Sequence, residues 1–136
     1  MKKLLFGINP IHMDIAALAL RIILGALFIY HGATKIASFN EMFDQFPDLI
    51  GIGSGATLVI VILAEFGGGI LVLTGLITRL AVIPIFITMV VAFFVVHASD
   101  PFQAKELALV YMILSVIVFL VGSGKYSIDR FIMKGQ

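Results

Sequence analysis

The stretch that decides the fold runs from residue 56 to residue 77 and reads ATLVIVILAEFGGGILVLTGLI. It is long enough to cross the hydrocarbon core of a bilayer, which takes about 20 residues of apolar helix. Its one charge is Glu65, and an isolated charge at the centre of a membrane helix costs roughly 2.5 to 3.5 kcal/mol on insertion scales. Glu65 is therefore a candidate functional residue.

Three further windows of this kind lie at residues 14–36, 80–97 and 106–122. The chain of 136 residues is 61% hydrophobic and 12% charged, with a mean hydropathy of +1.16, and no soluble domain of this size can bury that much apolar surface. The runs are too long for barrel strands and do not alternate with a period of two. The sequence predicts an all-α fold: one domain over residues 1–136, a bundle of four transmembrane helices with short loops, in contact with the lipid bilayer.

The basic residues predict the orientation of this bundle. Only Lys35 and Lys105 fall near one side. Six others fall on the opposite side: Lys2, Lys3, Arg79, Lys125, Arg130 and Lys134. Because positively charged loops stay inside, both termini are expected to be cytoplasmic. The basic start is followed too soon by Asn9-Pro10 for a signal peptide, so the mature chain is expected to begin at Met1.

Composition excludes several chemistries. The chain has no cysteine, which removes thiolate catalysis, disulfide exchange, cysteine-held iron–sulfur clusters and cysteine zinc sites. The net charge is +1 and no basic aromatic stripe is present, so nucleic acid is not an expected partner. Redox chemistry would need a bound organic or haem cofactor, or a partner subunit, to carry electrons.

A set of ionisable residues falls at related depths in the four windows. With a rise of about 1.5 Å per residue, Arg21 lies about a third of the way in from the cytoplasmic face and Glu65 near the middle, so their extended side chains could meet. The other members are expected in the outer third of the bundle. The predicted polar site contains Arg21, Glu65, His31, Lys35, His97 and Glu106.

Helical phase supports this convergence. One stripe on the first window has steps of four and three residues and consists of Arg21, Gly25, Phe28, Gly32 and Lys35. The matching stripe on the second window consists of Glu65, Gly68, Gly69, Val72 and Arg79. Small residues mark helix faces that pack closely in membranes. The charges are therefore expected to face the bundle interior.

Structural explanations compete with a functional site. Arg21 and Glu65 could form a clamp that fixes helix register instead of a ligand or proton site. His31 and Lys35 near a span end could extend to the membrane interface. His97 could be an interfacial cap.

A metal site is a weaker alternative. His31, His97, Glu65 and Glu106 offer ligands that suit zinc or iron, but their spacing is not a local metal-binding signature, and no metal is predicted. Lys105 and Glu106 could also be an ordinary helix-start pair, since a carboxylate favours the N-terminal dipole.

Short motifs follow the chain in a fixed order. They are Leu20-Arg21-Ile22 with Gly25, Tyr30-His31-Gly32 with Lys35, Glu65-Phe66-Gly67-Gly68 with Gly75 and Thr78-Arg79, residues 92–97, Lys105-Glu106 with Tyr111, and residues 122–129. Together they resemble the DoxX family of small four-helix membrane proteins. The likeness covers most of the chain.

This resemblance implies a multi-pass protein of the bacterial cytoplasmic (inner) membrane. The family name comes from an association with quinone-linked oxidation of sulfur compounds, so the resemblance implies at most a subunit of a membrane oxidoreductase complex, with a quinone as the candidate cofactor and soluble or membrane redox subunits as partners. In that hypothesis Glu65 and Arg21 hold the head group, while His31, His97 and Glu106 pass protons outward.

Two other functions stay open. One is a non-catalytic membrane scaffold that recruits soluble redox or detoxifying enzymes. The other, less favoured, is a small transporter or proton pathway, for which four spans without an inverted repeat leave little room in one subunit. Glycine-bearing helix faces also fit a homo-oligomer.

Overall fold

The computed structural model describes residues 12–134, and over that range every regular element is a helix. These helices are α1 (Met13–Ala37), α2 (Phe39–Met42), α3 (Ser54–Thr74), α4 (Thr78–Val96), α5 (Phe102–Val121) and α6 (Ile128–Lys134). Four of them, α1, α3, α4 and α5, are long and apolar enough to cross a membrane. The predicted all-α bundle of four spans is confirmed.

The bundle has two different ends. At the cavity end, as we call it, α1 and α4 finish and α3 and α5 begin. At the opposite end, which we call the terminal end, lies α6. In the predicted orientation the cavity end faces outward and the terminal end faces the cytoplasm. That orientation stays a prediction, and the basic start of the chain, with Lys2 and Lys3, lies outside the described residues.

Helices α1 and α3 are in close contact along their glycines. A Cβ atom on Gly25 would lie 2.8 Å from the carbonyl oxygen of Gly69, and one on Gly69 would lie 2.9 Å from the carbonyl oxygen of Gly25. Arg21 and Glu65 flank this contact on the same helix faces as the glycines. Their side chains are buried, with exposed fractions of 1% and 4%. The prediction of a close glycine contact is confirmed, and so is the prediction of inward-facing charges for Arg21 and Glu65.

The turn between α3 and α4 corrects one part of the predicted stripe. Gly75 has a left-handed φ of 73°, its N–H donates to the Val72 carbonyl, and the Leu76 N–H donates to the Leu71 carbonyl. This Schellman arrangement ends α3. Arg79 is consequently in the first turns of α4 and exposed, and its assignment to the buried face of α3 was wrong.

The interior is made mainly of aliphatic and aromatic side chains where α1, α3, α4 and α5 meet. Leu24, Phe28, Val72 and Ile85 have no exposed surface. The outer faces are also apolar, with Leu63, for example, 65% exposed. Apolar outer faces on spans of this length place lipid around the bundle.

Candidate functional site

An ion pair joins the middle of α3 to the last part of α1. The Lys35 ammonium donates a 2.6 Å hydrogen bond to Glu65 Oε2. Hydrogen bonds between two charged groups are among the strongest in proteins. The structure thus brings together two of the predicted site residues, and it gives Glu65 a partner other than the one expected.

Arg21 does not contact Glu65, so the expected pairing of these two residues was wrong. Its guanidinium donates to the carbonyl of Ser123 and, at 2.7 Å, to the carbonyl of Tyr126. The segment after α5 folds back into the terminal end and occupies the guanidinium with main-chain acceptors. Arg21 is therefore a structural anchor of this segment, remote from the cavity.

A π-helical turn carries Glu65. Residues Leu63–Gly67 form this turn inside α3, and a second one, Ala92–Val96, ends α4 immediately before His97. Such turns insert one extra residue into a helix and are frequent at functional sites. Both border the same cavity, so in α3 and α4 the regular helix is interrupted where the polar groups lie.

This cavity has a volume of about 330 Å³ and lies at the cavity end. Its polar lining consists of His31, Lys35, Glu65, Thr88, His97 and Tyr111. The remaining lining is apolar and comes from α3, α4, α5 and the segment before α3. An apolar cavity of this size with a few convergent polar groups is the usual form of a small-molecule site.

His31 and Tyr111 form the second polar pair of the cavity. His31 Nε2 and the Tyr111 hydroxyl are 3.4 Å apart, and their rings meet edge to face with centroids 5.6 Å apart. Phe28 packs edge-on against Tyr111 at 5.1 Å. Tyr111 was absent from the predicted site, although a lone hydroxyl-bearing aromatic in the apolar window 106–122 was a signal that could have indicated it.

His97 lies at the mouth of the cavity and is partly exposed. Its Nδ1 is 2.7 Å from Asp100 Oδ2, and the two side chains are 38% and 48% exposed. Asp100, like Tyr111, was not among the predicted site residues. The pair places an imidazole ring between the cavity lining and the bundle surface.

Glu106 does not join the cavity. Helix α5 begins at Phe102, ahead of the predicted window, and lines the cavity with Ala104, Leu107, Ala108 and Tyr111, which share one face by helical spacing. Glu106 is out of phase with that face and exposed. Its expected place in a polar column with Glu65 was wrong.

The segment between α2 and α3 covers part of the cavity, to whose lining it contributes Phe46 and Leu49. Asp48 fixes this segment: its carboxylate accepts hydrogen bonds from the N–H groups of Ile52 at 3.1 Å and Gly53 at 3.0 Å. Loss of solvent raises the pKa of Asp48, but these hydrogen bonds outweigh it, and the net effect is a lowered pKa.

The described range does not offer a metal centre. Within residues 12–134, no three His, Asp or Glu side chains are grouped so that they could hold a metal ion. The Glu65 carboxylate already accepts from Lys35.

Known proteins show clear similarity to this chain. It is 32% identical over 124 residues to the Bacillus subtilis (strain 168) protein named "Putative oxidoreductase CatD", covering 90% of this chain and 91% of that one. It is 33% identical over 126 residues to "Inner membrane protein YqjF" of Escherichia coli (strain K12), covering 89% and 95%. An uncharacterized Haemophilus influenzae protein is 30% identical over 122 residues, covering 82% and 86%.

No solved structure is significantly similar to the chain. Residues 16–98 match the family model described as DoxX. This range includes most of α1, all of α3 and α4, and the Lys35–Glu65 pair. Four apolar spans and a relative in the inner membrane agree on the location. This multi-pass protein of the cytoplasmic membrane belongs to the DoxX family.

Proposed function

We propose that this protein is a quinone-binding membrane subunit of an oxidoreductase complex, and that the cavity between α1, α3, α4 and α5 holds the quinone head group. One observation carries the proposal: a cavity of about 330 Å³ combines apolar walls with the Lys35–Glu65 ion pair and the His31–Tyr111 pair. A flat apolar ring with polar oxygens at opposite edges fits that combination.

The donor set suits the acceptor atoms of a quinone. Quinone carbonyl oxygens accept hydrogen bonds, and the Lys35 ammonium and the Tyr111 hydroxyl are donors that line the cavity. The apolar lining residues suit the ring and the start of an isoprenoid tail. Glu65 keeps Lys35 in place with its 2.6 Å hydrogen bond, so its role is to position the donor.

The same side chains provide places for protons. A bound quinone would supply two-electron chemistry coupled to the uptake and release of protons. His31 is within hydrogen-bonding distance of Tyr111 inside the cavity, and His97 with Asp100 lies at its mouth. An imidazole ring has two nitrogens, so the rings at both positions offer a donor and an acceptor to a proton path. The proposed proton path therefore keeps His31 and His97 from the path predicted from the sequence and leaves out Glu106.

Electrons must come from outside this chain. It has no cysteine, so its own side chains do not carry electrons, and a bound redox cofactor or, in this proposal, a partner redox subunit reduces or oxidises the quinone. The name of the Bacillus subtilis relative, an oxidoreductase, supports a redox setting. The protein then acts as the membrane component that gives a soluble or membrane-bound enzyme access to the quinone pool.

The test is mass spectrometry of lipophilic molecules extracted from the protein purified in nanodiscs. We expect near-stoichiometric quinone in the wild type and loss of most of it in Glu65→Gln. The matched control is Glu106→Gln, which removes an exposed carboxylate that does not line the cavity and should retain the quinone. Equal quinone in Glu65→Gln and the wild type would contradict the proposal. A wild type without quinone would favour a scaffold that recruits other enzymes.

A further inference from the structure

We propose that α6 lies in the membrane interface and that the terminal end binds an anionic phospholipid through Arg79, Arg130 and Lys134. This inference is independent of the quinone site, which lies at the cavity end. It rests on the faces of α6, its height relative to the spans, and the distribution of charge around it.

Each residue turns a helix by about 100°, so residues three or four apart share a face. The seven residues of α6 accordingly fall on three faces. Asp129 faces the bundle, and Met133, although 69% exposed, lies on the same side of the helix. Met133 borders one recess beside α4 and α5 and a second beside α1 and the segment after α5. Ile128, Phe131 and Ile132 share a second face by spacings of three and four residues, and Phe131 is 82% exposed. An apolar face of this kind next to a membrane span belongs in the headgroup and acyl boundary.

The height of α6 is fixed by hydrogen bonds to the turn between α3 and α4. The Asp129 N–H donates to the Gly75 carbonyl at 3.1 Å, and the Asp129 carboxylate accepts from the Ile77 N–H at 2.7 Å. Helix α3 ends at Thr74 and α4 begins at Thr78, so this turn marks the end of both spans. The exposed apolar face of α6 is therefore level with the membrane interface.

The third face of α6 is basic. Arg130 and Lys134 lie four residues apart on it, and both are exposed. The carboxylates at this end, Asp14 and Asp129, keep their negative charge while they accept main-chain hydrogen bonds. Four exposed basic residues outnumber them among the described residues: Arg79, Lys125, Arg130 and Lys134. The net charge presented to a membrane surface at this end is therefore positive.

Arg79 adds a guanidinium beside the same helix. Its Nε donates to the Phe119 carbonyl at 3.2 Å, which holds the side chain against the end of α5. It borders a recess of about 450 Å³ that also contains Met133. A neighbouring recess of about 370 Å³ contains Arg130. Guanidinium groups bind phosphate oxygens in a planar, bidentate manner. Asp129 lines both recesses and Asp14 lines the second, so a phosphodiester pairs with the exposed guanidinium groups at the rims and not inside the recesses.

The ligand chemistry that fits is a glycerophospholipid with a net negative headgroup. Its phosphodiester pairs with the basic face, and its acyl chains lie along Phe131 and Ile132. A zwitterionic headgroup carries its own ammonium group, which competes for the phosphate. Each surface Lys or Arg near an anionic membrane adds attraction of about 1 kcal/mol, or roughly fivefold in affinity.

The first experiment follows the thermal stability of the full chain in detergent during titration with phosphatidylglycerol, phosphatidylcholine or inorganic phosphate. We expect phosphatidylglycerol alone to raise the Tm at low concentration. In the double variant R130Q/K134Q its half-maximal concentration should rise roughly fivefold per charge removed. Lys105→Gln, a basic residue of the cavity end, should leave it unchanged. Equal responses to phosphatidylcholine or inorganic phosphate, or an unchanged R130Q/K134Q, would overturn the proposal.

The second experiment reports the position of α6 without removing a charge. The chain has no tryptophan, so Phe131→Trp provides a single tryptophan, on the exposed face, whose emission can be excited selectively. In phosphatidylglycerol nanodiscs we expect blue-shifted emission and strong quenching by lipids brominated near the headgroup. Water-like emission that these lipids do not quench would overturn the interfacial position, whatever the titration shows.

Discussion

Lys35 and Glu65 form an ion pair across α1 and α3, with their hydrogen-bonded atoms 2.6 Å apart. Glu65 is 4% exposed, so its charge is separated from solvent and depends on Lys35 for compensation. A π-helical turn presents this carboxylate at the cavity. The pair therefore links the stability of the bundle to the proposed ligand site.

Replacing one member of the Lys35–Glu65 ion pair should lower the unfolding free energy more than replacing both. Lys35→Met leaves a buried carboxylate without compensation, and we expect a loss of about 3 kcal/mol in unfolding free energy, the lower end for broken buried pairs because Lys35 is partly exposed. The double variant K35M/E65Q should be more stable than K35M alone. Unfolding in mixed micelles measures both effects. Strictly additive losses would show that the two groups do not interact.

Arg21→Met should loosen the segment between α5 and α6 and leave the cavity intact. The variant loses hydrogen bonds from the guanidinium to the carbonyls of Ser123 and Tyr126, each worth about 1.5 to 3 kcal/mol when one group is charged. Trypsin should then cleave after Lys125 at least about tenfold faster than in the wild type. Arg79→Gln, which removes a guanidinium bonded to one carbonyl, serves as the control. Unchanged cleavage would refute the anchoring role.

The contact between α1 and α3 predicts a difference between two neighbouring glycines. Gly69→Ala places a methyl group 2.9 Å from the Gly25 carbonyl oxygen and should destabilise the bundle by about 1 to 3 kcal/mol through overpacking. Gly67→Ala meets nothing within 4 Å and should be nearly neutral. Thermal unfolding of the two variants in one detergent measures the difference. Helix propensity favours Ala over Gly at both positions, so equal losses would show that the close contact with Gly25 does not set the effect.

Order in the segment over the cavity should depend on pH. The pKa of Asp48 is lowered in the folded protein, so its stabilising effect is present above the unfolded value of about 3.9 and is lost as pH falls through the folded value. The chain has no cysteine, so a spin label on Ile50→Cys reports on this segment. Its mobility should stay low at neutral pH and rise below about pH 4. In Asp48→Asn the mobility should no longer change with pH.

The spans could be predicted because apolar runs of this length have one stable arrangement in a bilayer. The buried stripe from Arg21 to Lys35 could also be predicted, since helical period and small residues both mark a packed face. The partner of Arg21 could not, because its acceptors are main-chain carbonyls, which leave no side-chain signal in the sequence.

Local helix geometry explains the other differences between the predicted and the observed site. The inclusion of Glu106 depended on a depth estimate, and depth does not fix which side of a helix a residue occupies. The two π-helical turns are invisible to a pattern search that assumes a constant period. They border the cavity where His97 and Glu65 lie, so regular periodicity was least informative at the site itself.

The π-helical turn in α3 has a consequence for how this protein can vary. An extra residue at Leu63–Gly67 sets the half-helix Ser54–Ile62 out of phase with Gly68–Thr74. The first half borders the cavity through Val61, whereas the second makes the glycine contact with α1. Selection can thus alter the wall of the cavity in one half of a single span while the other half keeps the scaffold unchanged.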